Sequence, residues 1–196
     1  MNVVILDYGS ANYHSIVNFL NFSENLNVKI SYKKTDIKNS DLLIFPGVGT
    51  FDQALHNIKK RKIDKILKKE IRQGKLVLGI CLGMQILFEF SDESKCNQIG
   101  LSLIKGKTKK LNITNVGWRK LIINKKKFKY FNNLSFYFNH SYFQVCEKKN
   151  VLAYVKFSKL KIPAIIKKNN IWGVQFHPEN SQLNGKIFIR SIFNQI

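Results

Sequence analysis

The chain has 196 residues, 44% of them hydrophobic and 12% aromatic, which is enough apolar content to fold as a single domain, residues 1–196, without disulfides. Its longest apolar runs, such as Leu76–Cys81, are far too short to span a bilayer, and its first residues lack the basic region and cleavage site of a signal peptide, so we expect a cytoplasmic protein. The net charge of +21 is compatible with a nucleic-acid partner, but only four of the 33 basic residues are arginines, which supply most bidentate contacts, so we expect none.

Up to Phe90, short β-like runs alternate with helical patterns, which is typical of an α/β sheet covered by helices on both faces. The predicted strands are Val3–Asp7, Val28–Tyr32, Leu42–Phe45 and Val77–Ile80. The predicted helices have apolar stripes at Ile16, Val17 and Leu20 and at Ile63, Ile66, Leu67 and Ile71, a further one begins at Thr50, and another covers Gly83–Phe90. Ser10 or Asn12 can cap the first helix, and Gly74 can end the helix before the fourth strand.

Beyond Phe90 the pattern changes from alternating to mostly β-like. The β-like runs are Trp118–Ile123, Phe136–Phe138, Val151–Phe157 and Ala164–Lys167. Their succession without helical stripes predicts antiparallel pairing, followed by a last strand over Ile171–Phe176 and a last helix over Lys186–Phe193. The predicted fold class is therefore α/β, with an open, largely parallel mixed sheet, helices on both faces and a β-rich antiparallel extension.

Cys81 is the centre of the sequence GICLG at residues 79–83, between a predicted strand and a predicted helix. Small flanking residues permit the sharp turn of a nucleophile elbow, and the helix N-terminus that follows favours a thiolate. The alternative is a buried structural cysteine, which is common for free thiols. With Cys96 and Cys146, the cysteines are odd in number and unrelated in spacing, which indicates reduced thiols. No Cys or His pair has a zinc-like spacing, so we expect neither a metal nor a cofactor.

His177 and Glu179 follow the last predicted strand, in the sequence GVQFHPE at residues 173–179. The histidine can take the proton of a thiol, and the glutamate can hold the other ring nitrogen, as a catalytic triad needs. Pro178 ends the strand, so we expect both side chains at the carboxyl edge of the sheet, where Cys81 also lies. A histidine beside a proline is otherwise an ordinary turn residue, and the elbow cysteine upstream favours the catalytic interpretation.

Six sequence blocks resemble the class I, or triad, glutamine amidotransferases, and within them the HisH-type glutaminase subunits of imidazole glycerol phosphate synthases. The blocks are Asp7-Tyr8-Gly9 with Asn12, PGVGTF at 46–51, LGICLGMQ at 78–85, Gly117-Trp118, YFNHSY at 137–142, and GVQFHPE at 173–179. The resemblance covers essentially the whole chain. It implies one glutamine amidotransferase domain that hydrolyses glutamine to glutamate and ammonia and forms a heterodimer with a HisF-like (β/α)₈ barrel synthase. That synthase uses the ammonia to make imidazole glycerol phosphate and AICAR in histidine biosynthesis.

The resemblance also implies roles for individual residues. Cys81 is expected to attack the side-chain carbonyl of glutamine, His177 to transfer protons, and Glu179 to orient His177. The backbone N–H groups of Val48 and Leu82 are expected to hold the oxyanion. The residues expected to contact glutamine are Gly49, Gln85, Ser141 and Tyr142. The residues expected at the subunit interface are Asn12, Trp118, Tyr137 and His140.

Several of these assignments have alternatives. Trp118 and Tyr137 can be core aromatics, and His140 can be an interior histidine. Arg119 and Asn180 stand where the family usually has an asparagine and a basic residue, which leaves open a related branch that supplies ammonia for nucleotide-sugar amination in surface polysaccharide synthesis. The non-enzyme alternative is a basic nucleic-acid-binding protein or a silent scaffold, although a scaffold does not need an exposed nucleophile in a strained turn.

Overall fold

The computed structural model describes residues 1–9, 12–23 and 25–194. The strands in these ranges are β1 Asn2–Leu6, β2 Asn27–Ser31, β3 Leu42–Phe45, β4 Leu76–Ile80, β5 Phe90–Ser91, β6 Gly106–Lys120, β7 Ile122–Ile123, β8 Ser135–Cys146, β9 Val151–Phe157, β10 Leu160–Lys168 and β11 Ile171–Val174. The α-helices are α1 Tyr13–Leu20, α2 Lys34–Asn39, α3 Phe51–Lys60, α4 Asp64–Arg72, α5 Leu82–Gln85 and α6 Gln182–Phe193. Short 3₁₀ turns occupy Lys126–Phe131, Lys148–Asn150 and Pro178–Asn180.

The larger sheet has eight strands in the order β2-β1-β3-β4-β11-β10-β9-β7. From β2 to β11 the neighbours are parallel, and from β11 to β7 they are antiparallel. This order confirms the predicted mixed sheet with an antiparallel extension. β11 lies beside β4 with Val174 opposite Ile80, so the segments that follow these two strands leave the sheet at the same edge.

Side chains along each central strand point alternately to the two faces of the sheet. In β1, Val3 and Ile5 pack with residues of α1 and α6, whereas Val4 and Leu6 pack with residues of α2, α3 and α4. Because both faces are covered, a central strand such as β3 is apolar at every position and completely buried. Helices therefore cover both faces of the sheet, as predicted.

A smaller sheet contains β5, β6 and β8. β6 and β8 pair antiparallel, with Trp118 opposite Tyr137. β8 also contacts the chain that follows β11, through an isolated bridge between Phe138 and Phe176 and a 2.9 Å bond from the N–H of His177 to the carbonyl of Tyr137. The smaller sheet thus meets the larger one at the edge where β11 ends.

The helix predicted over residues 83–90 is shorter in the structure, because α5 ends at Gln85. The carbonyls that would continue it, those of residues 86–88, accept hydrogen bonds from the backbone N–H groups of residues 101–104 at 2.8–3.3 Å. Phe90 instead belongs to β5. The pairing is between segments distant in sequence, so a local pattern does not reveal it.

The strand predicted over residues 118–123 is two strands in different sheets, β6 and β7. Leu121 separates them: its side chain is fully buried, and its N–H donates to the carbonyl of Leu134 at 2.9 Å. Burial of one apolar side chain at the junction therefore ends one strand and begins the next.

Two further features concern the helices. Asn12 caps α1 by accepting a hydrogen bond from the N–H of Ser15 at 3.2 Å, as predicted, whereas Ser10 lies outside the described residues. The sequence did not predict α2, because Ile37 is its single buried side chain and forms no stripe.

No helix in the described ranges is long and apolar enough to cross a membrane.

Candidate active site

Cys81 lies at the sharp turn between β4 and α5. Its backbone has a φ of +50° and a ψ of −107°, which non-glycine residues rarely adopt, and its N–H donates to the carbonyl of Val174 at 2.7 Å. The side chain is 6% exposed. A strained residue between a strand and a helix is typical of a nucleophile elbow.

Two glycines allow the backbone around Cys81 to pack closely. A Cβ on Gly83 would lie 2.0 Å from the carbonyl oxygen of Phe45, and a Cβ on Gly47 would lie 2.4 Å from that of Ile80. A real Cβ does not tolerate either distance, so only glycine fits at these two positions. The close packing brings the loop after β3 next to the cysteine.

His177 follows β11 and interacts with both Cys81 and Glu179. Its Nδ1 lies 2.8 Å from Oε1 of Glu179, and the two side chains are 9% and 8% exposed. A second hydrogen bond joins the ring to Cys81. Burial lowers the pKa of His177, but the hydrogen bonds and charges of Cys81 and Glu179 outweigh it and raise the pKa to about 10. The site therefore favours a protonated imidazole ring between the Cys81 sulfur and the Glu179 carboxylate.

The backbone of His177 is anchored to β8. Its N–H donates to the carbonyl of Tyr137, and its own carbonyl accepts from the hydroxyl of Ser181 at 2.6 Å. The same hydroxyl accepts from the N–H of Tyr137 at 3.0 Å. The 3₁₀ turn at Pro178–Asn180 then brings Glu179 back towards the imidazole ring.

The loop between β3 and α3 and the first residue of α5 supply backbone N–H donors near the cysteine. Gly49 has a φ of +111°, where a larger residue would be strained, and Val48 is 44% exposed. Within the described residues, the N–H groups of Val48 and Leu82 have no hydrogen-bond acceptor. Unpaired N–H groups on both sides of the elbow are suitable donors for an oxyanion.

The residues predicted to contact glutamine lie in three parts of the fold, of which Gly49 occupies the loop after β3. Gln85 is buried on α5, and its N–H donates to the carbonyl of Cys81 at 3.2 Å. On β8, the carbonyl of Asn139 is 3.8 Å from the Cys81 sulfur, and Ser141 and Tyr142 follow two and three residues later. The structure thus brings α5 and β8 together around the cysteine.

Glu93 is a candidate site residue that the sequence analysis did not single out. Its carboxylate accepts the N–H of Phe51 at 2.9 Å. Burial raises the pKa of Glu93, and burial followed by the negative charge of Glu93 raises the pKa of Tyr142. The carboxylate therefore lies between the start of α3 and Tyr142. No motif around Glu93 marks it, since its position depends on contacts between distant segments.

Comparison with known proteins identifies the family. Residues 4–194 match the family model of glutamine amidotransferase class-I. The chain belongs to this family. It is 38% identical to imidazole glycerol phosphate synthase subunit HisH 2 of Vibrio vulnificus, over 100% of this chain and 95% of that protein. It is 36% identical to the HisH subunit of Lactococcus lactis, over 99% of this chain and 98% of that protein.

Solved structures show the same fold. The chain is similar to a structure of PurLQS from Thermotoga maritima with a TM-score of 0.78 at 20% identity, covering 99% of this chain and 98% of that chain. A crystal structure of a glutamine amidotransferase matches with a TM-score of 0.77 at 15% identity, covering 97% of both chains. The α/β fold is therefore that of class I glutamine amidotransferases.

In this amidotransferase, a cavity of about 150 Å³ opens beside His177 and Glu179. Its walls include Asn12, Val48 and Tyr137. The structure therefore places two predicted interface residues next to the predicted triad. None of the predicted glutamine contacts lines this cavity.

Trp118 and Tyr137 are not core aromatics. Trp118 is 44% exposed, and its ring packs edge-on against Tyr137 with the ring centroids 6.2 Å apart. Tyr137 is half-buried. An exposed tryptophan that packs on a half-buried tyrosine of a cavity wall is typical of a surface that a partner covers.

His140 is buried, which favours the interior alternative over a surface position. Its Nε2 lies 2.9 Å from Nδ2 of Asn115, and its Nδ1 lies 2.7 Å from the carbonyl of Tyr142. Burial lowers the pKa of His140 to about 4, with a further contribution from the charge of His177. The neutral ring therefore cross-links β6 and β8 behind the site.

Proposed function

We propose that this chain is the glutaminase subunit of an imidazole glycerol phosphate synthase. Residues 1–196 act as one domain that hydrolyses glutamine to glutamate and ammonia. The ammonia passes to a HisF-like (β/α)₈ barrel subunit, which makes imidazole glycerol phosphate and AICAR in histidine biosynthesis. The observation that carries this proposal is the contact of Cys81, His177 and Glu179 at one edge of the sheet. The identity to HisH subunits over nearly the full chain supports the choice of synthase.

The reaction uses the thiolate–imidazolium pair. The sulfur of Cys81 attacks the side-chain carbonyl carbon of glutamine, and the oxyanion that forms accepts hydrogen bonds from the N–H groups of Val48 and Leu82. His177 gives its proton to the leaving nitrogen, the C–N bond breaks, and ammonia departs. A water molecule then gives a proton to His177 and its hydroxyl to the thioester, which releases glutamate and restores the thiolate. Glu179 keeps the ring oriented throughout.

The substrate lies between α5, the loop after β3 and β8. Gln85, Ser141 and Tyr142 contact it from these elements, together with the backbone of Gly49. Glu93 adds a half-buried carboxylate beside Tyr142, and a carboxylate in this position suits the α-ammonium group of an amino acid. The same charge disfavours substrates that lack an ammonium group.

The partner binds over the cavity beside His177. Asn12 and Tyr137 line that cavity, and the exposed ring of Trp118 extends the surface next to it. Ammonia leaves through this opening, because it lies next to the histidine that protonates the leaving group. His140 supports β8 from the interior and does not touch the partner.

The replacement of Cys81 by serine tests the proposal in the complex with a HisF-like barrel subunit. We expect Cys81→Ser to lose glutamine-dependent synthesis and to keep ammonia-dependent synthesis, because only the first needs the thiol. Product formation with glutamine or with an ammonium salt as nitrogen source measures both. Cys96→Ser is the matched control, since Cys96 is an exposed cysteine, and it should keep both activities.

Two results would overturn parts of the proposal. A Cys81→Ser complex with a tenth or more of wild-type glutaminase turnover would mean that another group is the nucleophile. Activation by a barrel synthase for nucleotide-sugar amination, and not by one for histidine biosynthesis, would keep the glutaminase chemistry and change the pathway.

A further inference from the structure

Gln175 follows β11 directly and lies beside the nucleophile. Its side chain is fully buried, and its Nε2 is 3.4 Å from the sulfur of Cys81. Its backbone N–H is held by the carbonyl of Ala164 at 3.0 Å. We propose that Gln175 is a positioning residue that donates a hydrogen bond to the Cys81 sulfur and stabilises its thiolate form. This inference rests on the proposed glutaminase function.

The burial of the sulfur makes a protein donor necessary. With Cys81 only 6% exposed, water cannot solvate a thiolate well, and an anion in such a position needs donors from the protein. His177 supplies one, and the carboxamide of Gln175 supplies a second without adding a charge. The opposite orientation of the amide would point its oxygen at the sulfur and repel the anion, so the donor orientation is the one that suits the chemistry.

The other end of the carboxamide indicates that Gln175 is not present for stability. Its Oε1 is buried and has no hydrogen-bond partner among the described residues. An unpaired buried acceptor destabilises a fold, and an apolar side chain of the same length would avoid that cost. This unpaired oxygen together with the contact of Nε2 to the Cys81 sulfur is typical of a functional site.

The titratable groups around the Cys81–His177 pair come from three parts of the fold. His177 and Glu179 follow β11, and Tyr8 follows β1 and interacts electrostatically with the cysteine. His140 on β8 faces His177. A substitution of Gln175 by an uncharged residue removes none of these groups, so a change in the ionisation of Cys81 would come from the amide.

The test measures the alkylation of Cys81 by iodoacetamide across pH in the assembled complex, with mass spectrometry of the Cys81 peptide as readout. We expect Gln175→Met to shift the alkylation midpoint upward by about 1–2 pH units and to lower glutamine-dependent kcat/KM roughly 10- to 100-fold, the range for a hydrogen bond to a charged group. Ammonia-dependent synthesis should stay at the wild-type level, and thermal stability should not fall. Gln175→Glu, which places a carboxylate by the sulfur, should shift the midpoint further upward.

Gln144→Met is the matched control. Gln144 is a buried glutamine on β8 whose two side-chain polar atoms also lack partners in the described ranges. We expect this variant to keep the wild-type alkylation midpoint. An unmoved midpoint in Gln175→Met, or an equal shift in Gln144→Met, would overturn the inference.

The two proposals fail in different ways. Glutaminase activity that survives Cys81→Ser would overturn the proposed function. A Cys81→Ser complex without glutaminase activity, together with an unmoved alkylation midpoint in Gln175→Met, would leave the proposed function intact and overturn only the role of Gln175.

Discussion

Replacement of Gly83 by alanine tests whether the close packing of α5 on β3 positions the nucleophile. The added Cβ would lie 2.0 Å from the carbonyl oxygen of Phe45 and 2.8 Å from that of Pro46, whereas ordinary contact begins at 3.4 Å. The two elements must separate by roughly 1 Å to admit it, and overpacking of this kind costs about 1–3 kcal/mol. In a chain of this length, that cost lowers the Tm by about 2–12 °C.

The same displacement should reduce activity. Cys81 directly precedes α5, so a shift of the helix moves the sulfur relative to His177. A misplacement of about 1 Å can cost roughly 100-fold in rate. We therefore expect Gly83→Ala to lose about two orders of magnitude in glutamine-dependent turnover and to keep ammonia-dependent synthesis by the complex. Thermal unfolding and the two nitrogen-source assays measure these effects.

Gly74 offers a control that separates strain from packing. It has a φ of +105° and no atom within 4 Å of an added Cβ. Gly74→Ala should therefore cost about 1–2 kcal/mol through backbone strain alone and leave turnover unchanged. A Gly83→Ala protein with wild-type Tm and turnover would refute the packing argument. An equal loss of turnover in Gly74→Ala would also refute the packing argument, because general destabilisation would then be sufficient to explain the loss.

Two other predictions concern charge. Glu179→Gln removes a carboxylate that helps to keep His177 protonated, so the pKa of His177 should fall from about 10 and glutaminase activity should drop. An NMR titration of the His177 ring measures the pKa, and an unchanged midpoint would contradict this prediction. Because the pKa of His177 is raised in the folded protein, protonated His177 stabilises the fold fully below its ordinary pKa of 6.5, and this stabilisation is lost as the pH rises through about 10. The free energy of unfolding should therefore decline between these two pH values, and it should decline less in Glu179→Gln than in wild type. The protein has a net charge of +21, and six lysines line one of its surface grooves. We expect the affinity of the protein for duplex DNA to fall by orders of magnitude between ~50 and ~200 mM salt. Salt-resistant, sequence-selective binding that is lost when Lys125, Lys126 and Lys127 become serine would instead reveal a second function.

The central parallel strands were predictable because they are covered on both faces. A strand such as β3 or β4 is a continuous apolar run bounded by turn residues, and such runs stand out in a sequence. The division of the 118–123 run between two sheets was not predictable, since Leu121 is apolar like its neighbours and only its burial in the fold separates the strands. The end of α5 at Gln85 was missed for a similar reason, because the carbonyls of residues 86–88, which would continue the helix, accept hydrogen bonds from residues 101–104.

The residues of the candidate site also differ in how far the sequence predicts them. Cys81 and His177 stand in short motifs whose glycines and proline have local structural reasons, so their placement at one sheet edge followed from the order of the elements. Glu93 and Gln175 have no such local pattern, and their proximity to the site depends on tertiary packing. His140 follows the exposed Asn139, yet alternation along β8 turns it inward, and a period-two argument applied to the full strand would have predicted this.

The two main groups of the site are held by different parts of the fold, which connects the proposed partner surface to the chemistry. Cys81 is held by β4 and by the close approach of α5, whereas the N–H of His177 is held by the carbonyl of Tyr137 on β8. Tyr137 packs on the exposed ring of Trp118, at the rim of the cavity beside His177. A subunit that covers Trp118 therefore presses on the strand that anchors the histidine and not on the turn that holds the cysteine. Any movement of β8 on binding changes the distance between the two groups, so the geometry of the pair depends on whether that surface is covered.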